Sequence, residues 1–490
     1  MLSSAVPTAR VRTLNERIPD PDGGHVLYWM TSARRMTCNF ALERAVEWAR
    51  ELGRGVVVLE ALRCDYEWAS DRFHRFVMDG MIDNARDAQG REGLAWYPYV
   101  ERTPGAGKGL LAELAATAAV VVTDDYPTFF IPEMLSAAAG RIGVHFEAVD
   151  SNGLAPMRAT PRSYPTAYSF RRYLQKSLPH YLGQAPEADP IEWLKGIATP
   201  AIPVAILERW PSAAPELSSG GPELAGLPLD HSVAPTELRG GTRAAGLRLQ
   251  QFLRYRLSAY ADDRNHPDED AASGLSPYLH FGHISVHEIL DRLAERESWT
   301  PDFDDRPTNG KRTGWWGMSP AAEAFLDQVV TWRELGFNMA ANRPDHREYE
   351  SLPDWALQTL EAHAADARPH LYSLEEFQAA ATHDELWNAA QRQLLRDGII
   401  HNYLRMLWGK KILEWTPHPR DAARIMIELN NRYAIDGRDP NSYSGIYWCL
   451  GRYDRPWGPE RPVFGKIRYM TSRNTARKLR LKEYLGRYGD

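Results

Sequence analysis

Cysteine is scarce: three in 490 residues (Cys38, Cys64, Cys449), with no CxxC pair and no metal-ligand spacing. This excludes a disulfide framework, argues against a zinc or iron–sulfur centre, and suits a reducing compartment. Long apolar runs are missing too. Nowhere do ~18 apolar residues follow one another, and the N-terminus has no apolar signal core. Neither secretion nor membrane spanning is expected, and a cytoplasmic location, a bacterial cytosol, is the expectation. No strand end carries GxGxxG, so a dinucleotide site of the usual Rossmann kind is not supported. Net positive charge is also lacking: the formal charge is −6. The distribution matters more than the sum. Residues 452–490 hold 11 Lys or Arg against 4 Asp or Glu, enough for a basic face on an acidic protein.

Tryptophan, by contrast, is abundant at 16 residues. Most belong to a large core. Yet indole is also the side chain for stacking on bases and for passing single electrons, so position must decide for each.

A chain of this length has room for two or three domains at roughly 100–200 residues each. Residues 1–22 have no hydrophobic period and read as a flexible arm. From residue 23 to 150 the chain alternates. HVLYWM, GVVVLEAL, LAWYPYV, AVVVTDD and IGVHFEAV read as strands, and amphipathic helices lie between them. That is an α/β domain with a parallel, five-stranded, Rossmann-like sheet. Residues 151–240 are rich in Pro and read as an inter-domain linker, with one helix near Phe170–Leu182 and its most flexible part at PSAAPELSSGGPELAGLP. From residue 241 to 490 only helical periods occur, so this part is all-α. Non-helical stretches are expected at Asp268–Ser276 and Asp436–Gly445.

Three stretches carry chemistry. Ser273-Gly274-Leu275-Ser276-Pro277 suits an anion site at a helix start, but taken alone it reads better as an ordinary N-cap. DGRDPNSYSG crowds two carboxylates and an amide into what reads as a turn; a buried carboxylate there needs a partner, and Arg405 on the preceding long helix is the candidate. Trp408 and Trp415 share a helix face, with Trp387 on the helix before. Spacing alone favours core packing for all three.

RDGIIHNYLRMLWGKKILEWT, IELNNRYAIDGRDPNSYSG and ERPVFGKIRYM strongly resemble class II cyclobutane-dimer photolyases. SGLSPYLHFGHIS resembles the flavin-phosphate segment of the wider photolyase–cryptochrome family, and THDELWNAAQ and VLYWMTSARR match the class II pattern. The resemblance runs from about residue 25 to residue 475 and is weakest in the linker. It implies an α/β domain and a helical domain holding FAD in a U shape, active as reduced FADH⁻. By this resemblance Tyr260 and Ala272, Ser273, Gly274, Leu275 and Ser276 hold the diphosphate, and Arg333 contacts the flavin. Asp436, paired with Arg405, lies beside the isoalloxazine, Asn430 faces its N5, and Asp439 lies near the ribose. Trp408, Trp387 and Trp415 match the electron-transfer chain. Trp332 and Trp448 match the walls of the lesion pocket, with His401, Asn402 and Met406 on the helix facing it. Met406 stands where (6-4) photolyases carry a histidine. Arg264 and the basic tail hold phosphates of UV-damaged DNA, the expected partner.

One departure stands out. Gln328 lies four residues before Trp332, where class II enzymes have a glutamate that hydrogen-bonds the lesion. Asp327 is its neighbour but points about 100° away on a regular helix. The implied activity is light-driven repair of cyclobutane pyrimidine dimers. The rival readings are a cryptochrome-like signalling flavoprotein and a (6-4) photolyase. A monomer with no obligatory protein partner is expected. The α/β part could also hold an antenna, a deazaflavin or a folate.

Overall fold

Six strands form one sheet in the order β1-β6-β5-β2-β3-β4: β1 Val11–Thr13, β2 His25–Met30, β3 Gly55–Leu62, β4 Leu94–Val100, β5 Ala118–Asp124 and β6 His145–Val149. The computed structural model describes residues 5–489. β2 is buried along its whole length and pairs in parallel with β3 and with β5. A strand covered on both faces reads as a continuous apolar run, as HVLYWM does. The helices α1 (Phe40–Leu52), α2 (Asp71–Ala88), α3 (Leu110–Ala115) and α4 (Ile131–Ala139) fall between the strands. α1 is bounded by local chemistry: the Asn39 side chain accepts from the N–H groups of Ala41 and Leu42, and Gly53 ends the helix at φ 62°. At the end of β5 the buried Asp124 carboxylate accepts from the N–H groups of Thr31, Ser32 and Ala33 and from the Tyr28 hydroxyl, which fixes the turn after β2.

The described residues fall into two compact units, each discontinuous in sequence. The sheet unit takes residues up to Thr160, Leu178–Leu249 and Leu275–Ser298; the helical unit takes Pro161–Ser177, Gln250–Gly274 and the chain from Trp299 onward.

Four expectations change. The sheet has a sixth strand, because β1 adds antiparallel to β6. β1 therefore belongs to the stretch read as a flexible arm, whose residues 1–4 lie outside the described ones. The anchor is Arg10, a buried guanidinium that donates to the carbonyls of Asp150 (3.2 Å) and Leu154 (2.7 Å) and stacks over Phe40. A three-residue strand is too short for its alternation to show. Second, the stretch read as a linker is divided between both units. The expected helix is present as α5 (Ala167–Tyr181). In the stretch expected to be most flexible, Leu217 and Leu227 are buried against Val77, Met78 and Met81 of α2. Third, 242–249 and 275–298 belong to the sheet unit, so residue 241 is not a boundary. Fourth, Asp436–Gly445 is not all turn: Pro440–Trp448 is a helix.

The Arg10 contacts carry a prediction. Arg10→Ala should lower stability by about 2–3 kcal/mol, from charge-assisted bonds lost and carbonyls left buried. Urea unfolding checks it: the midpoint should fall, whereas a loose arm would leave it unchanged.

Candidate functional site

Within the helical unit, three helices carry most of the expected residues: Asn402–Glu414, Pro419–Tyr433 and Pro440–Trp448. The first is followed by Pro417 and the other two begin with a proline, which has no N–H to waste at a first turn. Asp439 caps the third, accepting from Ser442 N–H at 2.8 Å. Glycines let these elements approach closely. A Cβ on Gly409 would lie 2.5 Å from Cys449 Sγ, and one on Gly336 would lie 3.0 Å from the Asn441 backbone.

Arg405 Nη2 donates to both oxygens of Asp436, at 3.0 and 3.4 Å. Both side chains are largely buried, and Arg405 Nε is buried with no hydrogen-bond partner among the described residues. Three residues on, burial pushes the Asp439 carboxyl up to about 6; the Asp436 charge adds to this, while Arg333 and the N–H groups of Ser442 and Asn441 oppose it. Asn430 Nδ2 donates to Ser442 Oγ at 2.6 Å and to Asn431 Oδ1 at 3.4 Å. Sequence reading passed over Asn431 and Arg438. Asn431 Oδ1 accepts from Arg438 N–H at 2.9 Å and its Nδ2 donates to Tyr443 Oη, which shapes the 434–439 turn. The polar density of NNRYAIDGRDPN was the available signal.

The tryptophans form a buried row. Trp408 and Trp387 are parallel within 4°, with ring centroids 6.5 Å apart, and Trp415 lies 6.0 Å beyond Trp387. Trp408 sits one turn after Arg405 on the same helix, so the row starts beside the ion pair. Its far end borders the half-buried Tyr372 and the exposed His383.

Other expected residues are less gathered. Tyr260 packs edge-on against Phe252 and Phe325, with the Arg264 guanidinium 5.3 Å from its ring. The His401 ring bonds the Arg264 carbonyl, and burial lowers its pKa to about 4, so it is neutral at physiological pH. Arg333 lies over Phe337. Met406 Cε is 3.9 Å from where a Cβ on Gly445 would lie, which places it against the helix that ends in Trp448. Trp448 has the Lys410 ammonium 5.0 Å and the Arg468 guanidinium 5.4 Å from its ring. Lys410 is fully buried, donates to the Cys449 carbonyl at 2.7 Å, and is pushed down to about 8 by burial. Asn402 is exposed, and Trp332 is half-buried at the end of a π-helical turn, Asp327–Trp332. Among the described residues the half-buried Gln328 amide makes no hydrogen bond. Asp327 does not replace it: its carboxylate is committed to Arg171 at 2.8 Å.

The phosphate stretch differs from expectation. Gly274 adopts φ 67°, and Leu275 rather than a serine stands at the N-cap position of the helix Ser276–His280. Ala272, Ser273 and Gly274 belong to the helical unit, Leu275 and Ser276 to the sheet unit. The basic tail is partly neutralised, since Arg480 pairs with Asp263 and Glu269; Arg473, Arg477 and Lys478 are exposed. Among the described residues no His, Cys, Asp and Glu group could hold a metal ion, and no helix is long and apolar enough to cross a membrane.

An unmet buried donor on Arg405, set beside a buried carboxylate pair and an aromatic row, fits a planar ligand rich in acceptors. Arg405, Asp436, Asp439, Asn430 and Arg333 are the residues that would hold it, and FAD has that chemistry.

Comparison with known proteins defines the class. The fold is similar to that of a bacterial class III photolyase from Agrobacterium tumefaciens, with a TM-score of 0.67 at 18% identity, covering 95% of this chain and 86% of that one. Proteins named deoxyribodipyrimidine photo-lyase match along nearly the whole chain. That of Methanothermobacter thermautotrophicus is 34% identical over 98% of this chain and 97% of its own. That of Oryza sativa is 33% identical over 97% and 90%, and that of Potorous tridactylus 31% over 94% and 80%. No protein-family model matches the sequence. The chain belongs to the deoxyribodipyrimidine photo-lyase family of enzymes.

The Asp439 environment predicts a pH effect. A carboxyl raised from its ordinary value near 4 to about 6 binds more protons folded than unfolded, so stability falls as pH rises through that window and is level above it. Asp439→Asn keeps a capping oxygen and removes the charge. In urea unfolding of the cofactor-free protein at pH 4 and pH 7, the variant should gain about 2 kcal/mol relative to wild type over that span. An unchanged difference would show that Asp439 is ionised without penalty.

Proposed function

We propose that this protein repairs cyclobutane pyrimidine dimers in UV-damaged DNA with blue light, as a class II photolyase with FAD in the helical unit. The observation that carries this reading is the row Arg405–Asp436, Trp408, Trp387, Trp415 within one helical unit of a chain of this family. When bound and fully reduced, FAD would supply the photoexcited electron that opens the cyclobutane ring, with no net redox change.

The chain's own residues bind, orient and exclude water. Arg405, Asp436 and Asn430 would hold the isoalloxazine part of the flavin. Asp439 and Tyr260 serve the ribose and diphosphate, together with Arg333 and the 272–274 stretch. A dimer within a duplex is out of reach and must be flipped out; unstacking is cheapest at a damaged step. Trp332 and Trp448 give the flipped bases flat apolar walls, and Met406 gives an apolar floor. His401, neutral at physiological pH, and Asn402 offer polar contacts without charge. Arg264, Arg473, Arg477 and Lys478 take phosphates, which set position and not sequence. Gln328 donates its amide N–H to a pyrimidine carbonyl, but it can neither carry charge nor move a proton.

An antenna chromophore, a deazaflavin before a folate, belongs in the sheet unit. Strand order reverses at β2, and in open α/β sheets ligands lie beyond the strand ends at such a point. Tyr66 and Trp68 follow β3, Phe129 and Phe130 follow β5, and Trp68 stacks on Phe129 at 6.1 Å. Trp68 and Phe129 both hold positive φ, a strain found where side chains are aimed for binding.

The test is purified protein with reduced FAD, an oligonucleotide carrying a thymine dimer, and blue light. Recovery of thymine absorbance is expected; no recovery with full flavin reduction would leave a signalling flavoprotein as the better reading. Trp448→Ala should weaken binding to the dimer by about tenfold, the worth of one base–aromatic stack, measured against undamaged DNA. Gln328→Glu should raise the repair yield per photon; a drop would show that the amide is the better lesion contact here.

A further inference from the structure

One side chain beside the tryptophan row is hard to explain by packing. Gln391 is fully buried, four residues after Trp387 on the helix Glu385–Asp397. Its Oε1 accepts from the Trp408 indole N–H at 2.9 Å, while its Nε2 is buried with no partner among the described residues. The amide orientation is required by chemistry, since the indole N–H can only donate. Leucine or methionine would fill this place with no unmet donor. What the glutamine obtains for that cost is the bond to Trp408. The Trp387 indole N–H also meets a carbonyl, that of Trp408, at 3.0 Å. Both inner tryptophans thus donate to amide oxygens, which accept hydrogen bonds but are not bases near neutral pH.

We propose that Gln391 is a positioning residue that keeps oxidised Trp408 protonated, so that the electron vacancy moves outward along the row. This rests on the reading of Trp408, Trp387 and Trp415 as an electron chain toward bound oxidised flavin. Under blue light one electron leaves Trp408 for the flavin, and Trp408 becomes a radical cation with its N–H intact. A strong acid of this kind would lose its proton to a neighbouring imidazole or carboxylate and be trapped as a neutral radical. Gln391 Oε1 cannot take the proton, yet its dipole stabilises the cation through a charge-assisted bond. One electron then passes from Trp387 to Trp408, and one from Trp415 to Trp387. In these inner steps no bond breaks and no proton moves. An external thiol finally reduces the Trp415 radical cation by one electron, leaving a thiyl radical and releasing its proton to water.

The test is transient absorption on the protein loaded with oxidised FAD, where the tryptophan radical cation and the neutral radical have distinct spectra. Gln391→His places a neutral imidazole nitrogen, a base, near the Oε1 position. It should show neutral radical during the inner steps, and photoreduction by thiol should fall about tenfold, the size of one charge-assisted bond. Gln391→Met should bind FAD, show no early neutral radical, and lose about threefold in photoreduction as the cation loses its acceptor. Wild-type spectra and yield in either variant would overturn the proposal. Trp408→Phe separates the two levels: if it leaves photoreduction intact, the electron chain itself is wrong; if it abolishes photoreduction while the Gln391 variants behave as wild type, only the role of Gln391 is wrong.

Discussion

The bond between Arg405 and Asp436 is the constraint on which the helical unit's site depends. A guanidinium and a carboxylate removed from water must be paired, and breaking such a pair leaves an uncompensated charge. The pair ties the helix Asn402–Glu414 to the turn before Pro440–Trp448. Several site residues are at fixed helical spacing from those two points. Met406 is the next residue, Trp408 is one turn on, and Asp439 starts the helix that ends in Trp448. The pair is also incomplete, since Arg405 Nε has no partner among the described residues. The same buried ion pair that orders the helices thus leaves a donor for a ligand.

Close approach does the rest. Gly409 and Gly336 stand where any side chain would strike Cys449 or the Asn441 backbone. Without them the Pro440–Trp448 helix would be displaced outward, taking Trp448, Asp439 and Ser442 with it. Lys410 illustrates the cost of that closeness: its ammonium is fully buried on one carbonyl, against the face of Trp448. In the sheet unit Asp124 has a comparable part, gathering three backbone N–H groups at the end of β5.

Much of this was legible before any coordinates. The central strands are buried on both faces, so they read as unbroken apolar runs, and α1 announces its start with Asn39 and its end with Gly53. The Arg405–Asp436 pairing could be anticipated because a carboxylate amid apolar helices demands a cation. Short or composite features were not legible. β1 spans three residues and is held by Arg10 reaching two distant carbonyls. Leu217 and Leu227 lie among Pro, Gly and Ser, and only α2 gives them a surface to cover. The helix Pro440–Trp448 was hidden by turn-forming residues that proved to be its cap and first turn.

By itself the sequence determined the α/β and helical halves, and its resemblance to known sequences pointed to the family. The halves rest on periodicity along one chain, which survives without knowledge of distant contacts. Only the tertiary structure decided which partners meet. The single spacing of Trp387, Trp408 and Trp415 was compatible with plain core packing. Their parallel and edge-on contacts depend on how the Glu385–Asp397 and Asn402–Glu414 helices pack. The same packing set Gln391 against the Trp408 N–H and withdrew Asp327 into its bond with Arg171, leaving Gln328 alone in its place. Residues far apart in sequence choose partners by three-dimensional fit and by the cost of an unmet buried charge, and neither is written in a local pattern.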